Sequence, residues 1–141
     1  MPVPPQVIES APHSSIADVL SAYETLQHVP AGKPLFREGT LPAGVWVLRA
    51  GEVELSCSSK GGDALAMQIA DAGEILGLTS VVSGRAHDST AIARTGCETG
   101  FIEKNRFLRL LEEKPGLWLT VLRMISKSIN ACWDCMRTLK A

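Results

Sequence analysis

Val45-Trp46-Val47-Leu48-Arg49-Ala50-Gly51-Glu52-Val53-Glu54-Leu55-Ser56-Cys57 decides how the rest of the chain is read. Two apolar stretches flank a glycine. In the second, Val53, Leu55 and Cys57 alternate with Glu52, Glu54 and Ser56, the period of a strand with one buried face. On that alternation Cys57 points inward, as a small buried hydrophobe rather than a reactive thiol. Working outward, short apolar stretches recur at Pro34-Leu35-Phe36, Ala64 to Ala70, Ala91-Ile92-Ala93 and Gly100-Phe101-Ile102. Gly32, Gly39, Gly61-Gly62, Gly73, Gly84 and Gly96 punctuate them. Short strands at near-regular spacing with turn signals between them predict a mainly β fold, a sandwich or jelly-roll-like β-roll over about residues 28–104.

Helices flank the roll. Residues 1–13 hold four of the eight prolines and read as a loose tail. A helix is expected from Ser14-Ser15, with a serine as N-cap. Ile16, Val19, Leu20, Tyr23 and Leu26 follow at helical spacing, and the helix should end before Pro30. After the roll, Phe107, Leu108, Leu110 and Leu111 fit a short helix closed by Pro115-Gly116. A long C-terminal helix then covers about residues 115–140. Trp118, Leu122, Ile125, Ile129, Cys132, Met136 and Leu139 are spaced 4, 3, 4, 3, 4, 3, three heptads of seam positions. Beside that seam runs a second stripe, Leu117, Val121, Met124, Ala131 and Cys135. One stripe can lie on the chain's own roll; the other needs a second copy, so a parallel homodimer is expected. The domain is expected to cover residues 14–141.

Composition narrows the function classes. The chain has 141 residues, 45% apolar and 21% charged, with net charge −1, which allows one domain and one core. Lys and Arg are scattered, so no electrostatic footprint for nucleic acid is visible. No apolar run approaches the roughly 18 residues that cross a bilayer, and the start lacks a signal-peptide pattern. A cytoplasmic chain with reduced thiols is expected. His13, His28 and His87 form no H-x-H or H-E-x-x-H pair, so no metal site is assigned. Neither a G-x-S-x-G elbow nor a P-loop is present, and no enzyme activity is expected.

Four stretches, in order, and the order of the helices around them resemble the sensor domain of the catabolite-activator/fumarate-nitrate-reductase family of bacterial regulators. Val29 to Gly39 looks like the family's opening strand pair, and Val45 to Leu55 like its Y-x-I/L-x-x-G-x-V-x-V hairpin. Ala72-Gly73-Glu74-Ile75-Leu76-Gly77 resembles the approach to the ligand cassette, and Val81-Val82-Ser83-Gly84-Arg85 the L-L-S-G-R that follows. The helix order is the fifth likeness. The resemblance runs from about residue 15 to 139 and implies a cyclic-nucleotide-binding-type β-roll with a dimerisation helix.

The cassette residues are Gly77, Leu78, Thr79, Ser80, His87, Asp88, Ser89 and Thr90. Gly77 lets backbone approach a ligand, the helix starting at Leu78 offers free N–H groups, and Ser89 and Thr90 add hydroxyls. The resemblance implies a small-molecule effector, a cyclic nucleotide or another anion. Nucleotide-binding members add a glutamate after the glycine, for the ribose hydroxyl, and an arginine before the serine, for the phosphate. Here the glutamate position is Leu78. The arginine position falls on Asp88 if Ser89 is matched to the family's serine, or on His87 if the loop is aligned without a gap from Gly84. Arg85 and Arg94 are the substitutes within reach in sequence. Altered or weakened nucleotide binding is expected.

Ile75-Leu76-Gly77-Leu78 and Thr90-Ala91 look closer to branches that sense gases or redox state. Cys132 and Cys135, at i and i+3, are the one pair suited to a redox or metal role, yet seam packing explains both. Cys97 reads as structural, in a turn before the last strand. His87 reads as an exposed loop side chain, and Trp46 and Trp133 as packing residues. Family members of full length carry a winged helix-turn-helix after the long helix. None follows here, so direct DNA binding is not expected, and action through a homodimer or an unidentified protein partner is. The alternative is a ligand-free structural or interaction module of the same fold.

Overall fold

The computed structural model describes residues 12–58 and 64–126. In chain order these form α1 (Pro12–Leu20), β1 (Thr25–Val29), β2 (Pro34–Phe36), β3 (Gly44–Ala50), β4 (Val53–Ser58), β5 (Ala64–Ala70) and β6 (Ile75–Leu76). There follow α2 (Leu78–Ser83), β7 (Thr90–Ala93), β8 (Cys97–Glu103) and α3 (Lys104–Glu113), then a helix over 115–126, here α4. The strands make two four-stranded antiparallel sheets, ordered β1-β8-β3-β6 and β2-β7-β4-β5. This is the β-roll with flanking helices that the strand spacing predicts.

β3 explains why the roll has two cores. Its alternate residues point to opposite faces, and both faces are covered, so Val45 to Leu48 are all buried. Val45 and Val47 pack with Ile16 and Leu20 of α1, Phe107 and Leu111 of α3, and Val121 and Met124 of α4. Trp46 and Leu48 face the other sheet and pack with Phe36, Val53, Ala91 and Ala93. Each such large side chain stabilises the fold by ~1.5–3 kcal/mol.

The structure corrects four local expectations. First, α1 starts at Pro12, where the proline ring suits a first turn, and ends at Leu20, not near Pro30. Ser21 closes it, its hydroxyl donating to the Asp18 carbonyl. Thr25–Val29 then pair along β8, and Leu26 is 72% exposed. Helical spacing was satisfied by residues whose backbone hydrogen bonds go instead to a strand. Second, the expected opening strand pair does not pair with itself: β1 lies on β8 and β2 on β7. Third, the same holds for the expected hairpin. β3 sits between β8 and β6, while β4 sits between β7 and β5. The chain passes from one sheet to the other at Gly51, whose φ is +96°; a Cβ there would meet the Gly96 carbonyl oxygen at 2.6 Å. Fourth, a register shift between Leu55 and Ser56 interrupts the β4–β5 ladder, and beyond it Cys57 is only half-buried.

α4 begins at Pro115, after Lys114 breaks from helical geometry. Val121 is fully buried and Met124 nearly so, against the roll. Trp118 and Leu122, from the heptad seam, are 37% and 52% exposed, and Ile125 packs partly on the core. Ile129, Cys132, Met136 and Leu139, with Ala131, Trp133 and Cys135, lie outside the described residues. Among the described residues no helix is long and apolar enough to cross a membrane.

Candidate functional site

The cassette is built on two left-handed glycines bracketing α2. Gly77, with φ 83° and ψ 6°, turns the chain out of β6, and Gly84, with φ 76°, ends the helix as its N–H donates to the Ser80 carbonyl. Only glycine adopts such φ without strain. At Gly77 space is short as well: a Cβ would stand 3.1 Å from the Gly44 carbonyl oxygen and 3.4 Å from the Trp46 ring. The backbone therefore runs close over β3.

α2 has six residues, and three of them, Leu78, Ser80 and Val81, are buried. Leu78 and Val81 belong to the core beneath the helices, with Val45, Val47 and Phe107. Thr79 is half-buried. The side chain after the cassette glycine is thus an anchor of the helical core.

His87 is not the exposed loop residue expected. It is 3% exposed. Its N–H donates to the Thr40 carbonyl at 2.9 Å, and its carbonyl accepts from Gly39 N–H at 2.8 Å, so the loop before β3 straps it on both sides. Its ring stacks on Phe36, centroids 4.0 Å apart and planes 14° from parallel. Phe36 in turn meets Trp46 at 5.4 Å, and Trp46 meets Phe101 at 5.0 Å. Aromatic rings thus run from β8 through the interior to the cassette loop, and Trp46 is a packing residue, as expected. Burial lowers the His87 pKa below the usual 6.5, against an opposing pull from Asp88. The imidazole is therefore neutral at pH 7 and offers no charge to an anion.

The remaining cassette residues lie beside it. Asp88 is exposed and Ser89 half-buried. Thr90 opens β7, and its Oγ1 accepts from the Glu38 N–H at 2.9 Å. The Glu38 carboxylate accepts from both the N–H and the hydroxyl of Ser58 at 3.0 Å. Arg85 and Arg94 are exposed, and neither forms an ion pair among the described residues. Sequence reasoning missed Phe36 and Glu38 as neighbours of the cassette: a three-residue strand is too short to show which face is inward.

No group of three or more His, Cys, Asp or Glu suited to a metal ion occurs among the described residues. Cys97 opens β8, fully buried, with Sγ 3.3 Å from the Glu52 and Thr95 carbonyl oxygens. Those contacts fit the structural role read from the sequence. Cys132 and Cys135 lie outside the described residues.

The family model described as "Cyclic nucleotide-binding domain" matches residues 26–114. A search of curated proteins finds no match. Among solved structures, the Thermus thermophilus catabolite activator protein superposes with TM-score 0.77 at 20% identity, over 89% of this chain and 59% of that one. The global regulator CLP of Xanthomonas campestris, described as responsive to c-di-GMP, gives 0.73 at 17% identity, over 89% and 62%. The sensor domain of the transcriptional regulator DNR from Pseudomonas aeruginosa gives 0.69 at 18%, over 92% and 91%. This chain thus spans about three-fifths of the first two proteins and most of the third. At such identities the likeness establishes the fold. With two antiparallel sheets, a glycine-bracketed cassette helix and a family match over most of the roll, this chain belongs to the cyclic nucleotide-binding domain family.

Proposed function

We propose that this chain is a non-catalytic regulatory domain that has lost the usual charged contacts to a cyclic nucleotide and acts, in the cytoplasm, through pairing of its C-terminal helix with a second copy or through a protein partner. One observation carries the reading: the cassette loop presents a neutral His87 stacked on Phe36, with Asp88 beside it, where nucleotide-binding relatives supply a guanidinium. An aspartate repels a phosphate, and losing a charge-assisted pair to a buried phosphate costs about 2–5 kcal/mol. That is roughly thirty-fold in affinity or more, before Leu78 is counted.

The homodimer reading is supported by α4. Its inner stripe is spent on the roll, at Val121 and Met124, while Trp118 and Leu122 remain exposed. At ~25 cal/mol per Å² of apolar surface, leaving these two side chains in water carries a cost that pairing would remove.

A second reading is favoured by the same stack. With the His87 ring, stacked on Phe36, reaching to 3.5 Å from where a Cβ at Gly77 would stand, the domain works as an interaction module that takes no effector at all. Calorimetry with cyclic AMP and cyclic GMP tests the main proposal: no saturable heat is expected at concentrations to about 100 μM, and micromolar affinity would refute it. Thermal-shift measurements against small anionic metabolites separate an altered sensor, which one of them stabilises, from an interaction module, which none does. Sedimentation equilibrium should give a dimer that Leu122→Glu converts to monomer; a clean monomer for the unaltered chain would remove the homodimer.

A further inference from the structure

A second cleft lies away from the cassette, on the outer side of α3. It has a volume of about 560 Å³ and is lined by Tyr23, Glu103, Arg106, Arg109 and Glu113, with Leu110. Leu110 is nearly fully buried and forms its apolar floor. Arg106 and Arg109 stand one turn apart on the same helical face. The ion pairs among the described residues are His28–Glu98 and Arg49–Glu24, so neither α3 arginine is in direct ion-pair contact there, while Glu103 and Glu113 balance the two positive charges of the lining overall. Arg106 lies over the Tyr23 ring, 5.9 Å from its centroid. That distance is at the outer limit of a cation–π contact, which biases the guanidinium toward the Tyr23 side of the cleft.

The acidic lining residues set the selectivity. Both Glu103 oxygens are engaged at the start of α3, accepting from the Asn105 and Arg106 N–H groups at 3.1 and 3.3 Å. The helix N-terminus is therefore already capped by the chain itself, the Glu103 carboxylate is turned to those N–H groups while keeping its charge, and attraction for an anion comes from the two guanidinium groups. Glu113, at the other end of the cleft, repels further negative charge. The arrangement suits one oxyanion group and disfavours a polyanion such as a nucleic-acid backbone. Its volume falls within the range of small-ligand sites, roughly 300–1,000 Å³.

We propose that this cleft is a second ligand site, taking a small molecule with a single carboxylate or phosphate group, held by Arg106 and Arg109. It shares no residue with the cassette, and stands or falls independently of the function proposed above.

The test is a titration of the ¹⁵N-labelled chain with inorganic phosphate, with acetate in a parallel arm and sodium chloride at matched ionic strength as reference. Saturable shifts are expected at the amides of residues 104–110 and at Tyr23, with a dissociation constant of about 1 mM or tighter. The stronger of the two arms identifies the oxyanion class. The double variant Arg106→Gln/Arg109→Gln should weaken binding roughly tenfold or more without lowering the melting temperature, because both side chains are exposed. Shifts no larger than those from chloride, or shifts that survive the double substitution, would overturn the proposal.

Discussion

The Glu24 carboxylate lies directly against Gly100, so closely that a Cβ at position 100 would overlap it. Glu24 is held there by Arg49, which donates from Nε at 2.9 Å and from Nη2, and Nη2 also reaches the Ala17 carbonyl at 2.9 Å. The carboxylate is 4% exposed and the guanidinium 25%. This clasp joins the end of α1 to β3 across the face of β8. Gly100→Ala should push Glu24 off its partner and cost about 1–3 kcal/mol, read as a lower urea midpoint. Wild-type stability in that variant would mean the clasp can shift aside freely.

Restoring a glutamate at position 78 should not restore nucleotide binding. Leu78 is 5% exposed and packs with Val45, Val47 and Phe107, so Leu78→Glu places an unpaired carboxylate in an apolar core. A loss of ~3 kcal/mol or more is expected, with no gain of cyclic AMP affinity by calorimetry. A stable variant that binds at micromolar concentration would show that the side chain can turn toward the ligand space.

Stability should fall in mild acid through His87. Its folded pKa lies below the usual 6.5, so the unfolded chain takes up this proton more readily than the folded one. The contribution is fully present above pH 6.5 and is lost as pH falls through the folded value. His87→Phe keeps a ring against Phe36 and removes the titration. Urea midpoints from pH 7.5 to 5.5 should therefore drop less in the variant than in the parent, and equal slopes would contradict the assignment.

The two stripes of α4 should behave oppositely. Val121 is fully buried against the roll, and Val121→Ala should cost about 2 kcal/mol at any protein concentration. Leu122, half-exposed, should matter only through association. Leu122→Ala should leave dilute-solution stability within about 0.5 kcal/mol but abolish its dependence on protein concentration. Urea unfolding at two concentrations reads both, and a large loss at high dilution in Leu122→Ala would place that side chain in the monomer core.

Local pattern carried much of this. The run at residues 45–48 reads as strand because it is apolar on both faces, and β3 is buried on both. Gly77 and Gly84 stand where positive φ is required, and both were legible as turn glycines. The division of Val121 from Leu122 follows from helical periodicity alone. Pairing was another matter. Val45–Leu48 and Val53–Cys57 flank a glycine as hairpin strands do, yet they lie in opposite sheets. Leu26 continues the helical spacing from Ile16, yet it lies in β1, which hydrogen-bonds to β8.

Side-chain identity and spacing thus settled which segments are apolar and where the backbone turns left-handed. Tertiary structure alone decided that His87 lies buried on Phe36, that Glu24 reaches across Gly100 to Arg49, and that Tyr23 meets Arg106. The reason is physical: periodicity is a property of neighbours along the chain, whereas these contacts join residues from 25 to 83 apart in sequence order, brought together by which strand edges pair.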